Sequence, residues 1–413
     1  MDDATDRPTR WLTDPLESGA AAGFGVYLHV PFCAHRCGYC DFATWELDAP
    51  APGGGTFADL VGRVADGLVA DLRRTVAAGP RALAPDDADV GDAWPTVTSV
   101  SVGGGTPSKL GAAALARAIA TVGEELDLAG DAEVTVEVNP EDVTPELVDA
   151  LAGAGVTRLS MGAQSFAPHV LTTLERGHGP ERIVEAAEVG RAGGVPDLSL
   201  DLIYGTPGET EADWRTSLAS AVAAGADHLS AYALTIHDNT PFGRAVATGA
   251  MPAPDEDVQR DRFDLADEVL AHAGFHHYEV SNWARGVERR SRHNLLYWRH
   301  GDYLGVGVGA HGHLAGRRWW GHRSIPRWLA AVEAGEPGVG GSEVLTVDER
   351  ATERLLLGLR VREGLHPADV PPLDPLALED ALDAGLVTTA CGRLQATADG
   401  WFLLDEAVAR LAP

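Results

Sequence analysis

Cys33, Cys37 and Cys40, in the run HVPFCAHRCGYCDF, place three thiols within eight residues at the spacing C-x3-C-x2-C. Thiols this close face one centre only where the backbone loops around it, and thiolates are the soft ligands that hold iron-sulfur clusters or zinc. A structural zinc site or an ordinary 4Fe-4S cluster takes four protein ligands. This loop supplies three, and the remaining cysteine, Cys391, lies far along the chain, which leaves one coordination position open. A Cys3His zinc site completed by His35 or His29 is the alternative reading. Reactive-disulfide chemistry would need only the C-x2-C pair and would leave Cys33 idle.

Downstream, β-rich and helix-like stretches alternate. Short β runs fall at 25–30 (GVYLHV), 97–102 (VTSVSV), 133–138 (EVTVEV), 157–161 (TRLSM), 198–203 (LSLDLI) and 229–234 (LSAYAL). Between them, Phe57, Leu60, Val61, Val64, Leu68 and Leu72 recur at three- and four-residue spacing, one apolar face of a helix. Thr144, Pro145 and Glu146 read as the N-cap and first turn of another. Six βα units in a row with short connections imply an α/β fold whose parallel sheet curves into a partial (β/α)6 barrel.

In such barrels the chemistry sits at the carboxyl ends of the strands. There the chain places Gly103-Gly104-Gly105-Thr106-Pro107, then Glu137 in EVNPE, Gln164 in SMGAQSF, Asp201 in SLDLIYGTPG and Thr235. Singly each has a bland reading, as a turn glycine or a loop cap. Five in succession point to one lined pocket.

The cysteine loop resembles the radical S-adenosylmethionine superfamily. The resemblance implies a 4Fe-4S cluster held by Cys33, Cys37 and Cys40, with the fourth iron chelated by S-adenosylmethionine. Tyr39 matches the residue against adenine, and Tyr27 one beside the cosubstrate. In the coproporphyrinogen oxidase-like branch, Gly104, Gly105, Thr106, Glu137, Gln164, Arg176 (in LERGH), Asp201 and Thr235 match the rest of the cosubstrate pocket. The strings HNLLYW and GVGVGAHG, at 293–298 and 305–312, resemble the HemW-type heme chaperones of that branch. That resemblance implies heme as cargo, contacted by His293, Trp298, His311 or His313, with Tyr297, Trp319 and Trp320 as flat aromatic surface and Arg317 and Arg318 for the propionates. It also implies heme-accepting respiratory proteins at the membrane as partners. No residue is singled out as catalytic.

The branch also contains oxygen-independent coproporphyrinogen III dehydrogenases. Their loop carries a further cysteine where this chain has Phe42, and a longer segment precedes their cluster, whereas 32 residues precede Cys33 here. A heme chaperone is therefore the first reading and a radical enzyme acting on a porphyrinogen the second. A winged-helix regulator that senses redox state through its cluster is the third.

Three sections follow: a loose leader over 1–22, the barrel with its cluster loop and extension over 23–325, and a HemN-type section over 340–413. In the last, Thr346 and Glu349 have capping-box spacing, LEDALDAGLV reads as a helix, and LVTTACGRLQAT with GWFLLD as a hairpin. The outline is a small α+β, winged-helix-like domain. DNA binding is its usual association, but the formal charge of −29 disfavours docking on nucleic acid. The apolar runs are far short of a membrane span, and the start lacks a signal-peptide pattern. Together with a thiolate loop that needs a reducing compartment, this predicts a cytoplasmic protein.

Overall fold

Six largely buried strands lie side by side in chain order. In the computed structural model, which describes residues 23–47, 56–366, 369–370 and 373–412, they are β1 (Phe24–Val30), β2 (Val97–Gly104), β3 (Leu128–Val138), β4 (Arg158–Gln164), β5 (Asp197–Tyr204) and β6 (His228–Ala233). All neighbouring pairs are parallel, and Leu28, Val102, Val136, Leu159 and Leu198 stand in one register row across five of them. These are the strands expected from the sequence. The stretch 1–22, read as a leader, lies outside the described residues.

The sheet continues past both edges of the six. Beside β6 lie the antiparallel β7 (His276–Glu279) and β8 (Asn282–Ala284). On the other side β9 (Asp302–Gly307) pairs parallel with β1, followed by the antiparallel β10 (His311–Leu314), β11 (Arg317–Gly321) and β12 (Val339–Val344). The order β12-β11-β10-β9-β1-β2-β3-β4-β5-β6-β8-β7 has two free edges, so the barrel is open.

Helices cover the apolar outer face. In the helix Phe57–Ala78, Leu60, Val64, Leu68 and Leu72 are buried, four of the six positions that the periodicity named, while Phe57 and Val61 are partly buried at its margin. The Thr56 hydroxyl caps it by accepting from the Asp59 amide. Trp328, in the helix Ile325–Glu333, lies over Gly67, where a Cβ would come within 2.9 Å of the indole. Its Nε1 donates to Asp71 (3.2 Å), which also accepts from the Gly338 amide (3.1 Å). The expected start at Thr144 also forms, its hydroxyl accepting from the Leu147 amide.

Beyond residue 345 a second, smaller apolar cluster gathers Leu355, Leu359, Ala381, Leu386, Leu394 and Val408. Thr346 and Glu349 form the expected capping box, and β13 (Val387–Ala390) and β14 (Arg393–Ala396) form a hairpin. Its turn residues, Cys391 and Gly392, are both left-handed, as a two-residue hairpin turn requires. The structure corrects one expectation: GWFLLD is not part of the hairpin. Gly400–Phe402 form a single 3-10 turn, and Leu404, Ala407, Val408 and Leu411 recur at helical spacing in the helix Leu404–Leu411.

Leu68 is 1% exposed between helix and sheet. Leu68→Ala is expected to destabilise the protein by about 2–5 kcal/mol through lost burial and a residual cavity. Thermal unfolding of the variant beside the parent checks this, and an unchanged midpoint would deny the packing.

Candidate cofactor site

The inward face of the six strands is polar. Along β1 the inward positions are Gly25, Tyr27 and His29, along β2 Ser99, Ser101 and Gly103, and along β3 Glu133, Thr135 and Glu137. Ser160, Gly162 and Gln164 continue the face on β4, Ser199 and Asp201 on β5, and His228, Ser230 and Tyr232 on β6. Parallel strands are usually apolar on both faces. A polar inward row therefore needs partners.

At the amino ends the protein supplies them. The buried Glu133 carboxylate accepts from Arg158 (2.9 Å) and from the backbone amides of Arg292 (3.0 Å) and His293 (3.2 Å), at the amino end of the helix Arg292–Trp298. His228 bonds Ser199 (2.7 Å) and the Tyr278 hydroxyl (2.8 Å). The string HNLLYW is this helix, and it plugs the barrel floor.

At the carboxyl ends partners are fewer. Glu137 accepts one hydrogen bond, from the Gly104 amide (3.1 Å), and the Gln164 side chain has no hydrogen-bond partner among the described residues. Gln164 is also left-handed, φ 63°, where the β4–β5 ladder breaks register. Such backbone in a non-glycine residue is characteristic of binding sites. Burial, with Asp201 beside it, pushes the Glu137 carboxyl up to about 7. Burial likewise raises Asp201 to about 6, against hydrogen bonds from Ser230 and Ser160 and the nearby charge of Arg176. Two carboxyls in one desolvated mouth favour a cationic ligand. The absent Cβ of Gly103 makes room for Glu137, and that of Gly104, φ 108°, for the His29 ring.

The cysteine loop lies across this mouth. It leaves β1 through backbone bonds from Gly105 to Val30 (2.8 Å) and from Thr106 to Phe32 (2.6 Å), and the pairing of Phe32–Cys33 with Trp45–Glu46 closes it. Gly38 donates to Glu175 (2.7 Å), its carbonyl accepts from the Phe242 amide (2.9 Å), and the Phe242 ring fills the space of a Cβ. Tyr39 packs edge-on to the same ring, centroids 6.0 Å apart. A hydrogen-bonded chain runs from Thr106 to Asn139 (3.1 Å) and from Asn139 to Arg176 (2.6 Å), whose other nitrogen donates to Cys37 Sγ (3.5 Å). Asn139 is thus a site residue that the sequence reading passed over, as it did Ser160, Ser230 and Tyr232. The polar alternation on each strand was the signal.

Among the described residues no three His, Cys, Asp or Glu side chains converge tightly enough for a single metal ion. His29 donates or accepts at both ring nitrogens, with the Tyr27 hydroxyl (3.0 Å) and the Ala43 carbonyl (3.3 Å), and His35 pairs with Glu46 (3.0 Å). Both histidines offered as a fourth zinc ligand thus have protein partners. Three free thiols beside an arginine donor fit a cluster, which draws each thiolate to a different iron. Thr235 stands exposed at the rim, its hydroxyl on the Ala233 carbonyl (3.3 Å).

The four residues named for heme do not come together. His293 is buried, bonded at Ser99 (2.9 Å) and the Tyr297 hydroxyl (2.8 Å), and burial lowers its pKa to about 3, so neither nitrogen is free for iron. Trp298 packs with Tyr278, Leu295 and Val361 on another side of the plug. His313 is 6% exposed, its Nδ1 held by Asp302 (2.9 Å). His311 alone of the four is exposed. Of the flat surface, Trp319 is buried in the core and Tyr297 is tied to His293. Arg318 is neutralised by Glu343 and Glu353.

Residues 27–221 match the family model of the radical SAM superfamily, which accounts for the loop and the pocket together. The chain is 45% identical over 390 residues to the heme chaperone HemW of Mycobacterium tuberculosis, covering 94% of each, and 35% identical over 287 residues to HemW of Escherichia coli, covering 70% of this chain and 69% of that one. A mouse protein, radical S-adenosyl methionine domain-containing protein 1, mitochondrial, is 30% identical over 97% of the chain and 89% of its own length. The fold matches the solved E. coli coproporphyrinogen III oxidase (HemN), a radical SAM enzyme, with TM-score 0.75 at 20% identity, over 95% of this chain and 90% of that one. The class is that of radical SAM proteins. Within it, this chain belongs to the HemW family.

The raised Glu137 carboxyl has a consequence for stability. Its folded pKa lies above the ordinary 4.5, so the fold loses stability as pH rises from the ordinary value through about 7, where the buried charge forms. Glu137→Gln, which keeps an acceptor for Gly104, is expected to raise the thermal midpoint at pH 8, with the gain vanishing towards pH 4.5. Melting curves of the ligand-free pair across that range check it; a gain independent of pH would contradict the assignment.

Proposed function

We propose that this protein is a heme chaperone: it binds heme and passes it to an acceptor protein, using a 4Fe-4S cluster and S-adenosylmethionine at the carboxyl ends of its strands. The observation that carries the reading is the identity of 45% over 94% of the chain to a protein named for that role. The acceptors are respiratory heme proteins, and the compartment is the cytoplasm. Among the described residues no helix is long and apolar enough to cross a membrane.

In this reading Cys33, Cys37 and Cys40 hold the cluster, and the cluster when bound supplies one-electron chemistry and an open iron. Burial pushes the Cys33 thiol up to about 11 and Cys40 upward as well, so their thiolate character comes from the metal. Arg176 steadies the Cys37 sulfur. Tyr27, Tyr39, Gly104, Gly105, Thr106, Gln164 and Thr235 line the cosubstrate's place, and the Glu137 and Asp201 carboxylates balance its sulfonium. The section 340–413 serves as a domain packed beside the barrel, joined through Arg260 to Asp399 (2.7 Å) and through Arg362 to the His277 ring (2.8 Å).

Phe42, 61% exposed, stands where the dehydrogenases of the branch carry a cysteine. The test is an anaerobic heme titration followed by transfer to an apo-acceptor, run beside an assay for protoporphyrinogen from coproporphyrinogen III. Saturable heme binding and transfer without protoporphyrinogen are expected. Multiple-turnover formation of protoporphyrinogen without heme binding would move the protein to the enzyme branch.

Two substitutions test the cofactor site. Asp201→Asn removes a charge-assisted contact of about 1.5–3 kcal/mol and is expected to weaken S-adenosylmethionine binding about 10- to 100-fold by equilibrium dialysis. Cys391→Ser is expected to keep full iron and sulfide, whereas serine at any one of the three loop cysteines loses them. Retention of the cluster by all three loop variants would refute the ligand set.

A further inference from the structure

We propose that His311 is the protein ligand to the heme iron, with the porphyrin lying along the inward face of β10 and β11 against Trp320 and a propionate paired with Arg323. This rests on the heme-binding reading above and specifies its site.

The argument starts from strand parity. His311 pairs in register with Trp320 and His313 with Arg318, so these four share the face that continues the barrel's inward side through Tyr303 and Gly305 of β9. The imidazole of His311 and the indole of Trp320 stand 6.2 Å apart at 34°, a shallow step that a planar macrocycle can cover. His311 is exposed, and neither ring nitrogen has a hydrogen-bond partner among the described residues. The other histidines of this face and of the barrel interior are engaged: His29, His228 and His293 at both nitrogens, and His313 at Nδ1, with its Nε2 buried. An iron ligand needs an accessible lone pair, and among the described histidines on the paired strands of this face His311 offers one.

Its surroundings suit an iron porphyrin dianion. In a chain of formal charge −29, a bound carboxylate needs a local cation. Arg323 is exposed and has no carboxylate partner among the described residues, unlike Arg318. It lies beside Gly309, which in turn touches Ala43 of the cysteine loop, next to the exposed Phe42. Guanidinium and indole thus flank one free imidazole. The Arg323 guanidinium acts on His29, which packs on Gly104, so a heme here abuts the cosubstrate pocket.

The experiment uses the full chain with its cluster, titrated anaerobically with heme. The ferrous iron–histidine stretch in resonance Raman reports the ligand apart from cluster absorption. His311→Ala is expected to keep iron and sulfide content but lose that stretch, with heme Kd raised about 10-fold or more and exogenous imidazole restoring an iron–nitrogen mode. Arg323→Ala should weaken binding with the stretch retained, and His322→Ala, on the neighbouring half-buried histidine, should behave as the parent. If the parent binds heme and His311→Ala keeps both stretch and affinity, the site is elsewhere and this inference falls while the chaperone reading stands. If the parent binds no heme, that reading falls and the inference with it.

Discussion

A parallel sheet with a polar inner face must satisfy the groups it encloses, and the rest of this structure follows from how it does so. Burying an unpaired polar group costs about 1–3 kcal/mol and a lone charge more. At the amino ends the cost is offset by protein: Glu133 takes Arg158 and the amides of the plug helix, His228 takes Ser199 and Tyr278, and His293 takes Ser99 and Tyr297. At the carboxyl ends the plug no longer reaches. Glu137, Asp201, Gln164 and Tyr232 are left around a space that the cysteine loop crosses.

The loop and the pocket are one mechanical unit. Backbone bonds from the glycine turn hold the loop's first strand, Glu175 and Phe242 hold its centre at Gly38, and Arg176 joins the Cys37 sulfur to Asn139 and through it to Thr106. Three strand ends therefore fix the thiols relative to the carboxylates. Burial in the same mouth raises Glu137 and Asp201, which leaves the ligand-free fold less stable near neutral pH. A cationic ligand offsets the cost of those buried charges, so the penalty that weakens the empty site favours binding.

The assignment of HNLLYW shows how a motif and its role can part. Its histidine, asparagine and aromatics look like ligand groups in one dimension, yet His293 and Tyr297 bond each other under the barrel, and Trp298 packs with Tyr278 and Leu295. GVGVGAHG instead leads into the open face of β10. Whether a histidine is core or ligand depends on which groups sit opposite its two nitrogens. Those groups, Ser99 for His293 and Asp302 for His313, come from other strands.

What the sequence by itself determined was everything governed by local spacing. The three-thiol loop needed only C-x3-C-x2-C; the six strands needed only short β-rich runs between helical patterns; the caps at Thr144 and Thr346 needed a hydroxyl ahead of a helix. The polar inner row was also legible in VTSVSV, EVTVEV and LSLDL, although only its last members had been singled out. Tertiary structure alone decided that the sheet continues through β9 to β12, that Arg176 meets Cys37, that GWFLLD turns into a helix against Leu355, and that His311 stays free while His293 does not. The reason is physical: spacing along the chain fixes which face a side chain takes, but its partners, its desolvation and so its chemistry are set by residues brought close only when distant strands pair.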